Sequence, residues 1–181
     1  MEKLIEDFAV NFTKKWNTLN KEEILKSVLN SFMTTRISCN SEKLIPNQFG
    51  IYAFFIKPNE NYRDIESLEV AWNIESFRKF PKVVKKRFGV SEPKDGWFPF
   101  YIGKSEKMSS RINEHLNHHC QHATYGLKLK ERVTFLKNNQ IEVGYWTLPE
   151  MPDVPREIKQ FIITNLESQL REEMKPWIGK Q

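Results

Sequence analysis

The run Gly50-Ile51-Tyr52-Ala53-Phe54-Phe55-Ile56 carries no charged side chain and is dominated by aromatic and β-branched residues. Such a run reads as a buried strand, because these side chains suit a pleated surface and leave no polar face for water. A second run of the same kind is Trp97-Phe98-Pro99-Phe100-Tyr101-Ile102-Gly103, and Ile141 to Thr147 alternate as a third strand.

Helical periods fill much of the remaining chain. Met108, Ile112 and Leu116 mark a helix just after Gly103, and Ile158, Ile162, Leu166 and Leu170 form one stripe of a last helix that Pro176 ends. Near the start, Leu4, Phe8, Phe12 and Trp16 predict a helix over 3–18, and Ile24, Leu25, Val28, Leu29 and Phe32 predict another from Asn20. The pattern breaks before Pro46, which puts a boundary near residue 40. Residues 1–40 then form an N-terminal helical extension that packs on a main domain at 46–181, since two short helices make a poor core alone. Residues 58–96, between the first two strands, are too long for a hairpin loop and should carry structure of their own.

Charge and cysteine content narrow the function classes. The 28 Lys and Arg against 23 Asp and Glu leave +5, an excess that permits a polyanionic partner without demanding one. No apolar run approaches the ~18 residues a membrane helix needs. Glu2, Glu6 and Asp7 interrupt the N-terminal apolar pattern, so it does not read as a secretory signal. Cys39 and Cys120 alone are too few for a disulfide framework or a zinc site built from cysteines. The expectation is a reduced, cytoplasmic chain with no membrane partner.

In order, the chain presents a strand with Gly50-Ile51-Tyr52 and a strand with Tyr101-Ile102-Gly103, followed by Lys104-Ser105. Then come a helix with Arg111 and His115, a strand, and a helix with Glu167. In this conjunction the sequence resembles the GIY-YIG nuclease superfamily, over roughly 46–180 apart from the insertion. The resemblance implies an α/β fold with a small antiparallel three-stranded sheet flanked by helices. Here that sheet would carry an N-terminal helical extension and an insertion between its first two strands. It also implies an endonuclease hydrolysing DNA phosphodiester bonds, with duplex DNA as partner and Mg²⁺ or Mn²⁺ as cofactor. By resemblance Tyr101 activates water with Tyr52 assisting, Lys104 and Arg111 steady the phosphate, Glu167 holds the metal, and His115 orients or protonates nearby oxygens. Two features differ from the family pattern. The motifs stand about forty residues further apart than usual, and Gly179 stands where the family often has an Asn.

The residues make chemical sense in these roles. Phosphodiester hydrolysis needs a base for water, cations for the developing charge and a metal for the leaving oxygen. Glu167 offers a hard oxygen ligand and falls beside Ile163, Leu170 and Met174 on the helical wheel; its bland alternative is a solvated helix glutamate. Arg111 and His115, four apart, share a helical face. The arginine brings a planar fork to a phosphate and the histidine a proton near neutrality, against the alternative of an exposed arginine beside a packed histidine. A phenol with an ordinary pKa of about 10 is a poor base, so Lys104 and Arg111 would have to favour the phenolate. Tyr52 and Tyr101 read equally as core tyrosines whose hydroxyls find partners. A DNA-binding or regulatory module that keeps this fold around a catalytically decayed site is the alternative function.

Two further segments stand out. Residues 78–87 hold six cations and no acid: Arg78, Lys79, Lys82, Lys85, Lys86 and Arg87. With Phe80, Val83 and Val84 as an apolar side, they suggest a basic helix along phosphates, or simply a solvated basic face. His115, His118, His119, Cys120 and His122 cluster tightly. His115, His118 and His122 would share a helical face open to zinc, but no second ligand pair accompanies them elsewhere in the sequence. The preferred assignment gives His115 to the site and leaves the others as polar surface or secondary phosphate contacts.

Overall fold

The computed structural model describes residues 21–39, 44–59 and 64–179, with isolated positions between 3 and 18. The helix expected over 3–18 and the start of the next at Asn20 therefore lie largely outside the described residues.

The three expected strands form. β2 (Gly50–Pro58) pairs antiparallel with both β4 (Phe98–Ser105) and β5 (Asn139–Thr147). The sheet nevertheless has four strands, not three. β1 (Ile37–Ser38) adds to the far edge of β5, giving the order β1-β5-β2-β4. Two residues carry no periodic pattern, and this pair sits inside the stretch that reads as a break before Pro46. A second, two-stranded sheet joins β3 (Lys82–Val83) to β6 (Ile178–Gly179).

The sheet separates two apolar layers, and β2 feeds both. Ile51, Ala53 and Phe55 face α1 (Lys21–Thr34) and α5 (Arg156–Met174), where Val28, Phe32, Ile163, Leu166 and Leu170 are buried with them. Tyr52, Phe54 and Ile56 face the other layer, built by α3 (Met108–Asn117), α4 (Val133–Lys137) and the insertion. This is the period-2 alternation of a strand with both faces covered. Helix α1 crosses β5 so closely that a Cβ at Gly144 would run into the Phe32 carbonyl oxygen. Within the stretch 1–40, α1 thus packs on the sheet and β1 belongs to it.

The insertion does carry structure. α2 (Ile65–Trp72) starts at Asp64, whose carboxylate accepts a hydrogen bond from the Ser67 N–H at 2.8 Å. Trp72 is fully buried, and the guanidinium of Arg132 lies 3.6 Å from its ring centre. Arg132 also donates to the carbonyls of Leu127 (2.8 Å) and Trp72, which ties the insertion to the main body. Burial pulls its pKa down to about 9. The basic segment is not the helix its composition suggests: residues 82–83 are strand β3, and Lys85–Arg87 form a single 3₁₀ turn. Pro81 and the alternation of exposed Lys82 with buried Val83 suit an extended chain better than a helix. Among the described residues no helix is long and apolar enough to cross a membrane.

Candidate active site

Strand β4 is the edge of the four-stranded sheet, and a cavity of about 520 Å³ opens along it between α3 and α5. Tyr52, Tyr101, Lys104, Arg111 and Glu167 all line it, so five residues scattered from β2 to α5 come together. Gly103, Tyr125, Thr164, Ser168 and Arg171 complete most of the wall.

Strand register explains how the tyrosines converge. Tyr52 pairs with Gly103 across β2 and β4, and Phe54 pairs with Tyr101. The register then slips, Phe55 pairing with Pro99, so Phe100 is an extra residue in a β-bulge. The bulge lets Phe100 and Tyr101 pack into the same apolar layer despite being neighbours in sequence. The ring centres of Tyr52 and Tyr101 stand 6.5 Å apart. Gly103 is needed for a reason unrelated to turns: a Cβ there would lie 2.5 Å from the Tyr52 hydroxyl oxygen and 2.6 Å from its Cζ.

His115 stands behind Tyr52, fully buried, and does not line the cavity. Its Nδ1 accepts from the Leu127 N–H at 3.1 Å, so the ring proton sits on Nε2 and is donated to the Tyr52 oxygen at 2.8 Å. Burial first, then the charge of Arg111 and the neighbouring His118, pushes the His115 pKa well below its ordinary 6.5. Of the two roles expected of His115, to orient or to protonate nearby oxygens, the bond to Tyr52 fits the orienting one, and the lowered pKa weighs against the other.

Burial dominates the tyrosines. It raises the Tyr52 pKa well above 10, with Tyr101 adding to the rise, and pushes Tyr101 up to about 12. Arg111 opposes burial at both hydroxyls, whereas Glu167 reinforces it. Arg111, one of the two cations expected to favour a phenolate, thus acts in that direction on both rings. Arg111 is held by Glu114 one turn along α3 and by the Tyr125 carbonyl oxygen, so its fork is fixed before any ligand arrives.

Glu167 projects from α5 into the cavity while remaining buried, on the border of Ile163, Leu166 and Leu170. Its Oε1 accepts from Arg171, one turn further on, which leaves Oε2 for a cation. One carboxylate oxygen among hydroxyls suits a hard divalent ion that keeps waters and takes further oxygens from a phosphate. The residues present thus fit Mg²⁺ or Mn²⁺. Gly179 lies in β6, paired with Lys82, and does not line the cavity.

The sequence reading misses Arg171 and Tyr125. Thr164, Ser168 and Arg171 recur at four- and three-residue steps around Glu167, a signal that would have found Arg171. Tyr125 sits in an irregular loop with no such signal. None of the six basic-segment cations lines the cavity. Arg78, Lys79, Lys82, Lys85 and Lys86 are exposed, but Arg87 is buried. Lys82 lies over the Phe80 ring at 3.7 Å, and Lys85 reaches Glu69 at 3.2 Å.

Comparison of the chain with models of known families, with curated proteins and with solved structures gives no match.

Proposed function

We propose that the chain is a metal-dependent endonuclease of the GIY-YIG type, acting in the cytoplasm on duplex DNA. The observation that carries this reading is the meeting of Tyr52, Tyr101, Lys104, Arg111 and Glu167 in one cavity. It gathers a phenol pair, two cations and a carboxylate, the inventory that phosphodiester hydrolysis requires.

In this reading Lys104 and the fixed fork of Arg111 hold the phosphate. Tyr101, the more exposed phenol, first loses its proton to solvent, an ionisation that Arg111 makes less costly, and as the phenolate takes the proton of the attacking water. Tyr52 accepts from His115, so its own proton points away from the histidine and is available to an oxygen of the substrate or water. Glu167 would hold a Mg²⁺ or Mn²⁺ ion, which would supply positive charge for the leaving oxygen. Arg171, bound to Glu167, is a second guanidinium within reach of the phosphate.

The same Glu167–Arg171 pair favours a second reading, a DNA-binding module with a decayed site, because the arginine already neutralises the only carboxylate lining the cavity among the described residues. Cleavage of supercoiled plasmid with Mg²⁺ or Mn²⁺ separates the two. Wild type nicks or linearises the plasmid, and Glu167→Ala loses cleavage while keeping salt-sensitive DNA binding. Equal cutting by both proteins would remove Glu167 from the chemistry. Binding by both without cleavage of plasmid, cruciform or flap substrates would favour the binding module.

A further inference from the structure

Beyond the cavity, the histidine-rich segment brings together a different set of side chains from the helical face that its sequence suggests. α3 ends at Asn117, and the backbone leaves the helix at His118, so His115, His118 and His122 do not share a helical face. His118 and His122 stack on each other instead, ring centres 4.1 Å apart. The side chains that meet are His119, Cys120 and Glu131, the last from the 3₁₀ turn Leu129–Glu131, with one ligand atom from each within 4.8 Å of the others.

We propose that His119, Cys120 and Glu131 form a zinc site with a fourth position open to water. The His119 Nε2 stands 3.8 Å from the Cys120 Sγ and 3.9 Å from the Glu131 Oε2. A tetrahedral ion with ordinary zinc bond lengths sets those separations at about 3.6 and 3.3 Å, and that between the Cys120 sulfur and the Glu131 carboxylate, which lie within 4.8 Å, at about 3.6 Å, so closure draws the part-exposed Glu131 side chain inward by more than half an ångström. Thiolate, imidazole and carboxylate together are a donor set for zinc, and unlike the oxygen donors of the cavity they disfavour magnesium. Binding releases the thiol proton. It also places the imidazole proton on Nδ1, giving up the long 3.3 Å contact from the Gln121 N–H.

The backbone that carries two of the ligands is held in place without the ion. Lys128, buried and in the left-handed region at φ 56°, donates its ammonium to the carbonyls of Cys120 (2.8 Å), His122 (2.7 Å) and Arg78. The Arg78 N–H donates to the Cys120 carbonyl oxygen at 2.9 Å as well. The ligands are therefore brought together on a fixed frame, while His119 stays two-thirds exposed and open to solvent. A zinc ion would join the loop after α3 to the 3₁₀ turn, bracing the segment that leads to Tyr125.

Cobalt reports the site through its sulfur ligand. Titrating the reduced, chelator-treated full chain with Co²⁺ should give the near-ultraviolet thiolate-to-cobalt band and tetrahedral visible bands, both bleached by Zn²⁺. Cys120→Ser should abolish the near-ultraviolet band. Glu131→Gln, a surface change that leaves the fold intact by circular dichroism, should weaken Co²⁺ binding by more than about tenfold. Glu167→Gln should leave the band unaltered, because an oxygen-only site produces none. Absence of the band in wild type, its survival in Cys120→Ser, or unchanged affinity in Glu131→Gln would overturn the proposal.

Discussion

The phenol of Tyr52 fills the space that a side chain at its cross-strand partner Gly103 would occupy. The ring has no room to retreat, because its hydroxyl is fixed to His115 at 2.8 Å and the residue is buried. Gly103→Ala should therefore cost about 1–3 kcal/mol through overpacking. It should also displace Tyr52 enough to reduce plasmid cleavage by more than the stability loss explains. Thermal unfolding and cleavage rates measured together test this; wild-type values for both would show that the ring moves freely.

The two tyrosines should separate stability from chemistry. Tyr52→Phe leaves the buried Nε2–H of His115 without its acceptor, which costs about 1–3 kcal/mol. Tyr101 is more exposed, and no such bond depends on it among the described residues, so Tyr101→Phe should leave denaturant midpoints near wild type while removing cleavage. Equal destabilisation by both changes would contradict the bonding pattern, and retained cleavage in Tyr101→Phe would move the base elsewhere.

His115 should make the fold acid-sensitive. Its pKa in the folded chain lies well below the unfolded value of 6.5, so the unfolded state binds a proton that the folded state refuses. The stability from the neutral ring is complete above pH 6.5 and declines as pH falls towards the folded pKa. The slope approaches about 1.4 kcal/mol per pH unit while only the unfolded imidazole is charged. Urea denaturation between pH 4.5 and 7.5 should show this slope in wild type and a shallower one in His115→Gln. Parallel curves would mean that another group controls the response.

The basic segment should divide in two. Replacing exposed Lys79, Lys82 and Lys86 together by Ala should weaken DNA binding and flatten its salt dependence, by about 0.9 in the log–log slope for each phosphate that is no longer neutralised. The fold should be untouched. Arg87→Ala should do the reverse, lowering stability with little change in slope, because Arg87 is buried and faces Glu172 at 3.9 Å. Fluorescence anisotropy over a salt series reads both. A triple variant with an unchanged slope would remove this surface from the DNA interface.

The legible parts of this fold are those whose burial shows in local pattern. β2, β4 and β5 are visible because each is a run of apolar or alternating residues, and α1, α3 and α5 because their stripes hold a helical period. β1 and β6 are two residues each, and nothing in Ile37-Ser38 or Ile178-Gly179 distinguishes a strand from a loop. Their existence depends on partners remote in sequence, Val143 and Val83. At the cavity, the motif residues are legible through their order and element context. The coupling of Glu167 to Arg171, the neutrality of His115 and the approach of Tyr125 are not, since they follow from packing and burial. The basic segment misleads because a charge run reports composition, whereas its conformation is set by Pro81 and by the pairing of β3 with β6.

The long excursion from Pro58 to Phe98 leaves and rejoins the β2–β4 pair at the end where Ile56 meets Phe98, whereas Tyr52 meets Gly103 towards the other end. Four residues of extended chain, about 13 Å, separate the junction from that pair. Changes in the length or content of the excursion can accordingly be absorbed at the junction without altering the register of the tyrosines. Such a layout lets evolution, or an engineer, rework the excursion while inheriting the cavity and its tyrosines intact.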